Sequence, residues 1–407
     1  MDSQHSKYYG FGPKEQLLSQ EEKLEVGSRK KKLIIGLPKE VRLQERRIAL
    51  IPDAVKMLTE NGHEVVVEKG AGAATHFSDL AYAEAGAGIV DTAAEVFQSE
   101  VILKVAPISL DEIEFLKERQ TLLSALHLTS HDKSYFQQLI RKKTTAIAFE
   151  YIKDKTNSSP VARSISEIVG ATSIHIASKY LAHDQYGMGR MLGGFTGIAP
   201  AEIVILGAGT VSEYATKAAL GLGALVKVFD NSIYKLKQLQ DRLQQNIFTS
   251  TIQPDQLLKA LIAADAVICA VYARQHRCPI LITEDMVSQM KASSIIVDVS
   301  IDQGGCVETS HITTHSDPVY QVHGITHYCV PNIASMVPQT ASIALSNFFT
   351  PMLIQAGEMG GIDKLLGQDF YFRQGVYLLN GILTSNLVGE YYGLPFQDID
   401  LLMAAFH

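Results

Sequence analysis

The chain has 407 residues, 46% of them hydrophobic and 19% charged, enough to bury two or three domain cores and too apolar for a disordered chain. Its formal charge of −7 and pI near 6.0 exclude broad electrostatic binding to nucleic acid or anionic lipid. No run reaches the ~18 consecutive apolar residues of a membrane helix. The four cysteines, Cys269, Cys278, Cys306 and Cys329, form no CxxC pair and show no metal-ligand spacing. That is a reducing-compartment pattern, and with no apolar signal core near the N-terminus it predicts a cytoplasmic enzyme.

Residues 1–30 mix Gln, Ser, Glu and Lys, run into the basic stretch Arg29 to Lys32, and read as a polar tail. At Leu33 the texture changes. Leu33 to Gly36 reads as a buried strand, Pro52 to Gly62 as a helix closed by its glycine, and Glu64 to Glu68 as the next strand. Further strands at Val101–Val105, Thr121–Leu128 and Thr145–Ala148 continue the rhythm. It predicts a parallel sheet with helical crossovers. A long helical segment and a glycine-rich stretch fill about 160–200. A second α/β series follows, with strands Ile203–Leu206, Leu225–Phe229, Ala266–Ala270 and Ser294–Val299. After Pro338 the pattern reads as helix to the end. Two α/β lobes are the simplest organisation.

The second series opens with strand, Gly207-Ala208-Gly209-Thr210, a helix to Leu222, and a strand ending at Asp230. Gly207 permits a tight turn, and Gly209 lets backbone amides approach a pyrophosphate at the positive end of the helix. Asp230, 23 residues beyond Gly207, stands where a carboxylate accepts from both hydroxyls of an adenine ribose and repels a 2′-phosphate. Dinucleotide binding is expected, with NAD favoured over NADP. Ser212 replaces the third glycine of the usual GxGxxG and lets helix and strand pack, though less closely.

Longer motifs go further. Ile35-Gly36-Leu37-Pro38-Lys39-Glu40 with Arg47-Ile48-Ala49-Leu50, then Gly62-His63-Glu64-Val65, form one set. Leu192-Gly193-Gly194 with Gly197-Ile198-Ala199-Pro200 form a second, and the runs Val297 to Cys306 and His327 to Asn332 complete the pattern. On these residues the chain resembles, over about 33–400, the alanine dehydrogenases and the NAD-binding component of nicotinamide nucleotide transhydrogenases. The last two runs favour the dehydrogenase branch. The resemblance implies an α/β fold of two lobes. A Rossmann dinucleotide-binding domain (161–338) is inserted into a discontinuous substrate domain (31–160 and 339–407), with the active site between them. It also implies homo-oligomers, hexamers or dimers, and reversible oxidative deamination of L-alanine by NAD to pyruvate and ammonium.

The same resemblance assigns roles. Arg47 matches the family's carboxylate-binding arginine, whose guanidinium fork suits a carboxylate. His127 matches the catalytic histidine, a group that titrates near neutral pH. Asp302 matches the second catalytic residue, which also orders the nicotinamide ribose. Ser166, Thr210, Val211, Lys235, Val271, Val330 and Asn332 match cofactor contacts, alongside Gly207, Gly209 and Asp230. Without the resemblance, each role has a plainer counterpart: a surface arginine, a hydrogen-bonded core histidine, an Asx-turn before Gly304.

One motif departs from the family. Where active relatives read Lys-Val-Lys-Glu-Pro, this chain reads Lys104-Val105-Ala106-Pro107, so Ala106 replaces a lysine that contacts substrate. Lys104 shares a face with Ala106 if the strand continues, which leaves two readings: it partly substitutes for the lost lysine, or its stem packs against the sheet. The loop Arg274 to Pro279 brings two arginines to the expected adenine side, and Ile333 replaces a methionine. The lost lysine leaves two alternatives open: a dehydrogenase of another small amino or oxo acid, and a catalytically silent NAD(H)-binding homologue.

Overall fold

The computed structural model describes residues 30–42, 44–272 and 277–405. The polar tail up to Arg29, and Arg274 to His276 of the adenine-side loop, lie outside the described residues. The first sheet is built on six parallel strands: β1 (Ile34–Leu37), β2 (Glu64–Glu68), β3 (Gly88–Val90), β4 (Val101–Leu103), β5 (Thr121–Ser124) and β6 (Thr145–Ala148). The second holds β7 (Glu202–Leu206), β8 (Leu225–Phe229), β9 (Phe248–Ser250), β10 (Ala266–Cys269), β11 (Ile295–Asp298), β12 (Val319–Val322) and β13 (Ile325–Tyr328). Strands β4, β5, β6, β10 and β11 are buried at every position. That follows from helices covering both faces and explains their unbroken apolar runs.

Both sheets share one spatial order, β3-β2-β1-β4-β5-β6 in the first and β9-β8-β7-β10-β11-β13 in the second. In this doubly wound order the chain reverses its sense of travel beside the first strand, and ligands bind outside the carboxyl ends of the strands flanking that point. The switch points lie between β1 and β4, and between β7 and β10. The loops leaving those strands are therefore the places to look for chemistry.

The segment from Pro338 to the end is not helical throughout. Val376–Leu379 (β14) and Ile382–Leu383 (β15) form a hairpin that extends the first sheet antiparallel to β6. Its turn is Asn380 (φ 50°) and Gly381 (φ 80°), the consecutive positive φ values that make Asn-Gly the favoured pair in a two-residue hairpin. His323 and Gly324 join β12 to β13 in the same way.

Two long helices run between the lobes. Helix Pro160–Leu181 contributes Val161 and Ile165 to the first core, and Ile174, Ile176 and Ala177 to the second. It crosses helix Thr210–Gly221 so closely that a Cβ on Gly170 would lie 2.3 Å from the Val211 carbonyl oxygen. Helix Pro338–Glu358 returns Leu345, Phe349 and Leu353 to the first core. Its Ser342 and Ser346 hydroxyls accept the backbone N–H groups of Ile48 and Ile51 at 2.8 and 2.9 Å, which pins the segment carrying Arg47. No helix among the described residues is long and apolar enough to cross a membrane.

Candidate active site

The loop after β1 carries a closed ion pair. Arg47 donates Nε and Nη2 to the two oxygens of Glu45 at 2.7 and 2.6 Å. The Glu45 side chain is only 2% exposed, and it also accepts the Arg47 backbone N–H at 2.9 Å and the Ser335 hydroxyl. Burial works to raise the Glu45 carboxyl, but Arg47 outweighs it and holds the group at about 2. Glu45 was not singled out from the sequence, where an acid in a polar loop is ordinary. Among the described residues, Arg47 Nη1 makes no hydrogen bond.

His127 comes from beyond the end of β5, two strands away from β1 in the sheet. The sequence placed it within a strand reaching Leu128, but β5 stops at Ser124 and His127 sits in a loop with a left-handed backbone, φ 46° and ψ 63°. Histidine tolerates that conformation better than most residues. Glu150, just after β6, braces the turn: its Oε1 accepts the N–H groups of Leu126 at 2.7 Å and His127 at 3.4 Å. Burial, aided by the positive charges of Arg47 and Arg42, pushes the imidazole down to about 4. His127 is therefore neutral at pH 7.

Glu150 was also missed. Its Oε2 is buried without a hydrogen-bond partner among the described residues, and burial raises the carboxyl to about 7. Because the folded value lies above the ordinary 4.5, this group's stabilisation is full below the unfolded value and is lost as pH rises through the folded one. Glu150→Gln keeps an acceptor for Leu126 and removes the costly charge. Its Tm relative to the parent is expected to be distinctly higher at pH about 8 than at pH about 5; equal differences in melts at the two pH values would contradict this.

Asp302 reaches the same place from the second lobe, on a short turn (Val299–Gln303) after β11. It is open to the cleft, yet enclosure by the cleft walls lifts its carboxyl to about 6, against the pull of Arg47 and of the Asn332 backbone N–H it accepts. The loop is anchored from behind by Asp298, which accepts Ser300 N at 3.0 Å, Cys306 N at 3.2 Å and Ser310 Oγ at 2.7 Å. Buried Cys269 and Cys306 flank that carboxylate, their ligand atoms all within 4.8 Å of one another. The lobes meet directly where Gln44 Nε2 donates to Ser316 Oγ at 2.9 Å and Arg46 N to Ser335 Oγ at 3.4 Å. Arg47 thus interacts electrostatically with His127 on one side and Asp302 on the other.

Lys104 does not take the place of the missing lysine. Since β4 ends at Leu103, strand alternation no longer relates Lys104 to Ala106. The Lys104 side chain is 0% exposed, with Nζ 2.6 Å from Glu112 and 3.5 Å from Glu40. Burial works against its charge, and the two acids more than restore it. Glu40 in turn accepts the N–H groups of Val105 at 2.6 Å and Ala106 at 3.3 Å, so the triad shapes the β4 loop from inside. Lys104→Ala strands two buried carboxylates and is expected to destabilise the fold by about 3–5 kcal/mol. Urea melts check this; a loss of activity with unchanged stability would instead return Lys104 to the substrate.

The second lobe's switch point is shaped for a dinucleotide. Gly207 adopts φ 97°, and a Cβ there would lie 2.4 Å from the Ala270 carbonyl oxygen, so the turn is pressed against the end of β10. A Cβ on Gly209 meets no atom within 4 Å, which leaves the approach to the helix N-terminus at Thr210 and Val211 open. Asp230 braces the loop by accepting Ala208 N at 2.8 Å and Ser232 N at 2.7 Å. Lys235 is exposed in the first turn of helix Ile233–Leu243, which follows at once. Val271 follows β10, its N–H donated to Ser300 Oγ at 2.9 Å. Val330 and Asn332 follow β13, the first buried and the second left-handed with φ 48°. Ser166 is half-buried in helix Pro160–Leu181. Ser212 is wholly buried, and its hydroxyl has no partner among the described residues, consistent with a position better suited to glycine.

Two family models divide the chain between them: the alanine dehydrogenase/PNT N-terminal domain matches residues 36–169, and the C-terminal domain of the same family matches 173–386. The chain belongs to the alanine dehydrogenase/PNT family. It is 38% identical over 365 residues to the alanine dehydrogenase of Bacillus subtilis, covering 89% of this chain and 96% of the relative. Identity to the alanine dehydrogenase of Staphylococcus saprophyticus is 37% over 369 residues, 90% of this chain and 99% of that one. A solved L-alanine dehydrogenase at 36% identity superposes with a TM-score of 0.83 over 89% of this chain and 99% of its own. The alanine dehydrogenase/PNT match therefore spans both sheets, the three converging side chains and the glycine loop.

Proposed function

We propose that the chain catalyses reversible NAD-dependent oxidative deamination of L-alanine to pyruvate and ammonium. The cleft lies between a substrate lobe of residues 31–160 and 339–407 and a dinucleotide lobe of residues 161–338. The observation that carries this reading is the convergence of Arg47, His127 and Asp302 outside the carboxyl ends of the strands, where doubly wound sheets bind ligands. Gly207, Gly209 and Asp230 hold the dinucleotide, with Ser166, Thr210, Val211, Lys235, Val271, Val330 and Asn332 around it. Bound NAD supplies the hydride acceptor.

The chain's own residues do the rest. Arg47, fixed by Glu45, offers Nη1 to the substrate carboxylate and orients Cα. Neutral His127 accepts the proton released on the oxidative path and returns it to the pyruvate oxygen on the reverse path. The incoming carboxylate offsets the guanidinium charge that depresses His127, which brings the imidazole nearer the working pH. Asp302 orders the water that hydrolyses the imine. The enzyme works in the cytoplasm as a homo-oligomer, a hexamer or dimer, which light scattering would size.

The test follows NADH absorbance with pyruvate and ammonium, each alone and together. Oxidation only with both supports the reading. Turnover with a different 2-oxo acid alone, or tight NADH binding without turnover on any of them, would replace it.

A further inference from the structure

A substrate carboxylate brings a full negative charge into a site whose arginine already has a carboxylate partner. Arg47 is closed on Glu45, Lys104 is closed on Glu112 and Glu40, and Ala106 offers only a methyl group. The imidazoles of His127 and His131 are held neutral by burial. The His131 ring is also committed elsewhere, stacked on Tyr135 at 3.8 Å and bonded through Nε2 to the Leu126 carbonyl at 2.7 Å. These groups leave the substrate side of the cleft short of one cation.

Arg42 is placed to supply it. It leaves the same loop as Arg47, is half-buried, and donates Nη1 to the Ile108 carbonyl at 3.3 Å. That contact lies two residues beyond Ala106. The side chain thus bridges the loops that leave β1 and β4, the two strands that flank the first lobe's switch point. Its charge is felt at His127, at His131 and at Tyr135, so the guanidinium lies among the groups around the catalytic imidazole. No carboxylate among the described residues forms an ion pair with it, whereas both neighbouring cations on these loops that turn inward, Arg47 and Lys104, have one. A guanidinium carries five N–H donors. One long bond to a carbonyl leaves most of them for an anion.

We propose that Arg42 is a second carboxylate-binding residue, supplying to a small 2-oxo or 2-amino acid the positive charge that position 106 lacks. The choice of pyruvate as its ligand rests on the function proposed above; turnover with ammonium does not enter it. Held at the β4 loop by the Ile108 carbonyl, the second fork restores net positive charge around a monocarboxylate. Its length lets it reach from β1 what a lysine on the β4 loop would reach directly.

The test titrates pyruvate into the NADH-loaded full chain without ammonium, reading NADH fluorescence, for wild type, Arg42→Gln and Arg42→Lys. Arg42→Met, which keeps the apolar stem, serves if the glutamine variant fails to fold. Removal of the charge is expected to weaken pyruvate roughly ten- to hundred-fold, the range of a charge-assisted bond. NADH affinity and Tm should stay at wild-type values, and lysine should recover part of the loss. Equal pyruvate affinity in wild type and the uncharged variants would overturn the proposal, as would a wild type that binds no pyruvate. If pyruvate binds but is not turned over with ammonium, the alanine reading fails, while the comparison of variants still decides the role of Arg42.

Discussion

Replacing Arg47 by alanine is expected to cost about 3–5 kcal/mol of stability and, in the protein that stays folded, to lower kcat/KM for alanine by roughly ten- to hundred-fold. Both effects follow from one geometry. The guanidinium is bidentate on a carboxylate that is 2% exposed, so its removal strands a buried charge, and the same group is the substrate's anchor. The two losses separate in the double variant with Glu45→Gln, which removes the stranded charge: stability should largely return while activity stays low. The pH dependence has a definite sign. Glu45 is held at about 2 against an ordinary 4.5, so the pair's stabilisation is present above the unfolded value and is lost as pH falls through the folded one. The penalty of Arg47→Ala should therefore shrink in acid. Melts across pH with steady-state rates check this, and a double variant that regains activity along with stability would remove Arg47 from substrate binding.

His127→Asn is expected to lower kcat by about 10²–10⁴-fold, the usual worth of a positioned acid–base group. Asparagine is the informative substitution because the site demands a left-handed backbone, φ 46°, which asparagine adopts readily. Fold and NADH affinity should be preserved. A variant with unaltered kcat would leave His127 as a braced loop residue, held by Glu150, with no part in proton transfer. The bond from His127 N to Glu150 persists whatever the side chain, so this comparison isolates the imidazole itself.

Much of the fold was legible because its information is local. Buried parallel strands are short unbroken apolar runs, and the Gly207 turn with Asp230 is a contiguous unit whose residues each serve one physical purpose. Strand ends were read too long: Val101–Val105 stops at Leu103 and Thr121–Leu128 at Ser124. Those overruns mattered, since the periodicity linking Lys104 to Ala106 does not hold past the end of β4. The C-terminal hairpin was legible in the Asn380-Gly381 pair between apolar runs, but the surrounding helical composition hid it. Glu45, Glu150 and Arg42 were not found, because their significance lies in what they face. An acid or arginine in a polar loop is ordinary in sequence, and only the packing of β1, β4, β5 and β6 side by side brings these three around one imidazole.

On the proposed function, a hydride passes between a nicotinamide and the Cα of a three-carbon acid in this cleft. Incubation with pyruvate, ammonium and NADH carrying deuterium at both C4 positions, followed by mass analysis of the products, tests it most directly. Alanine bearing a single deuterium on Cα is the predicted result. Deuterium in lactate, or no label transferred to any product of pyruvate, would contradict it.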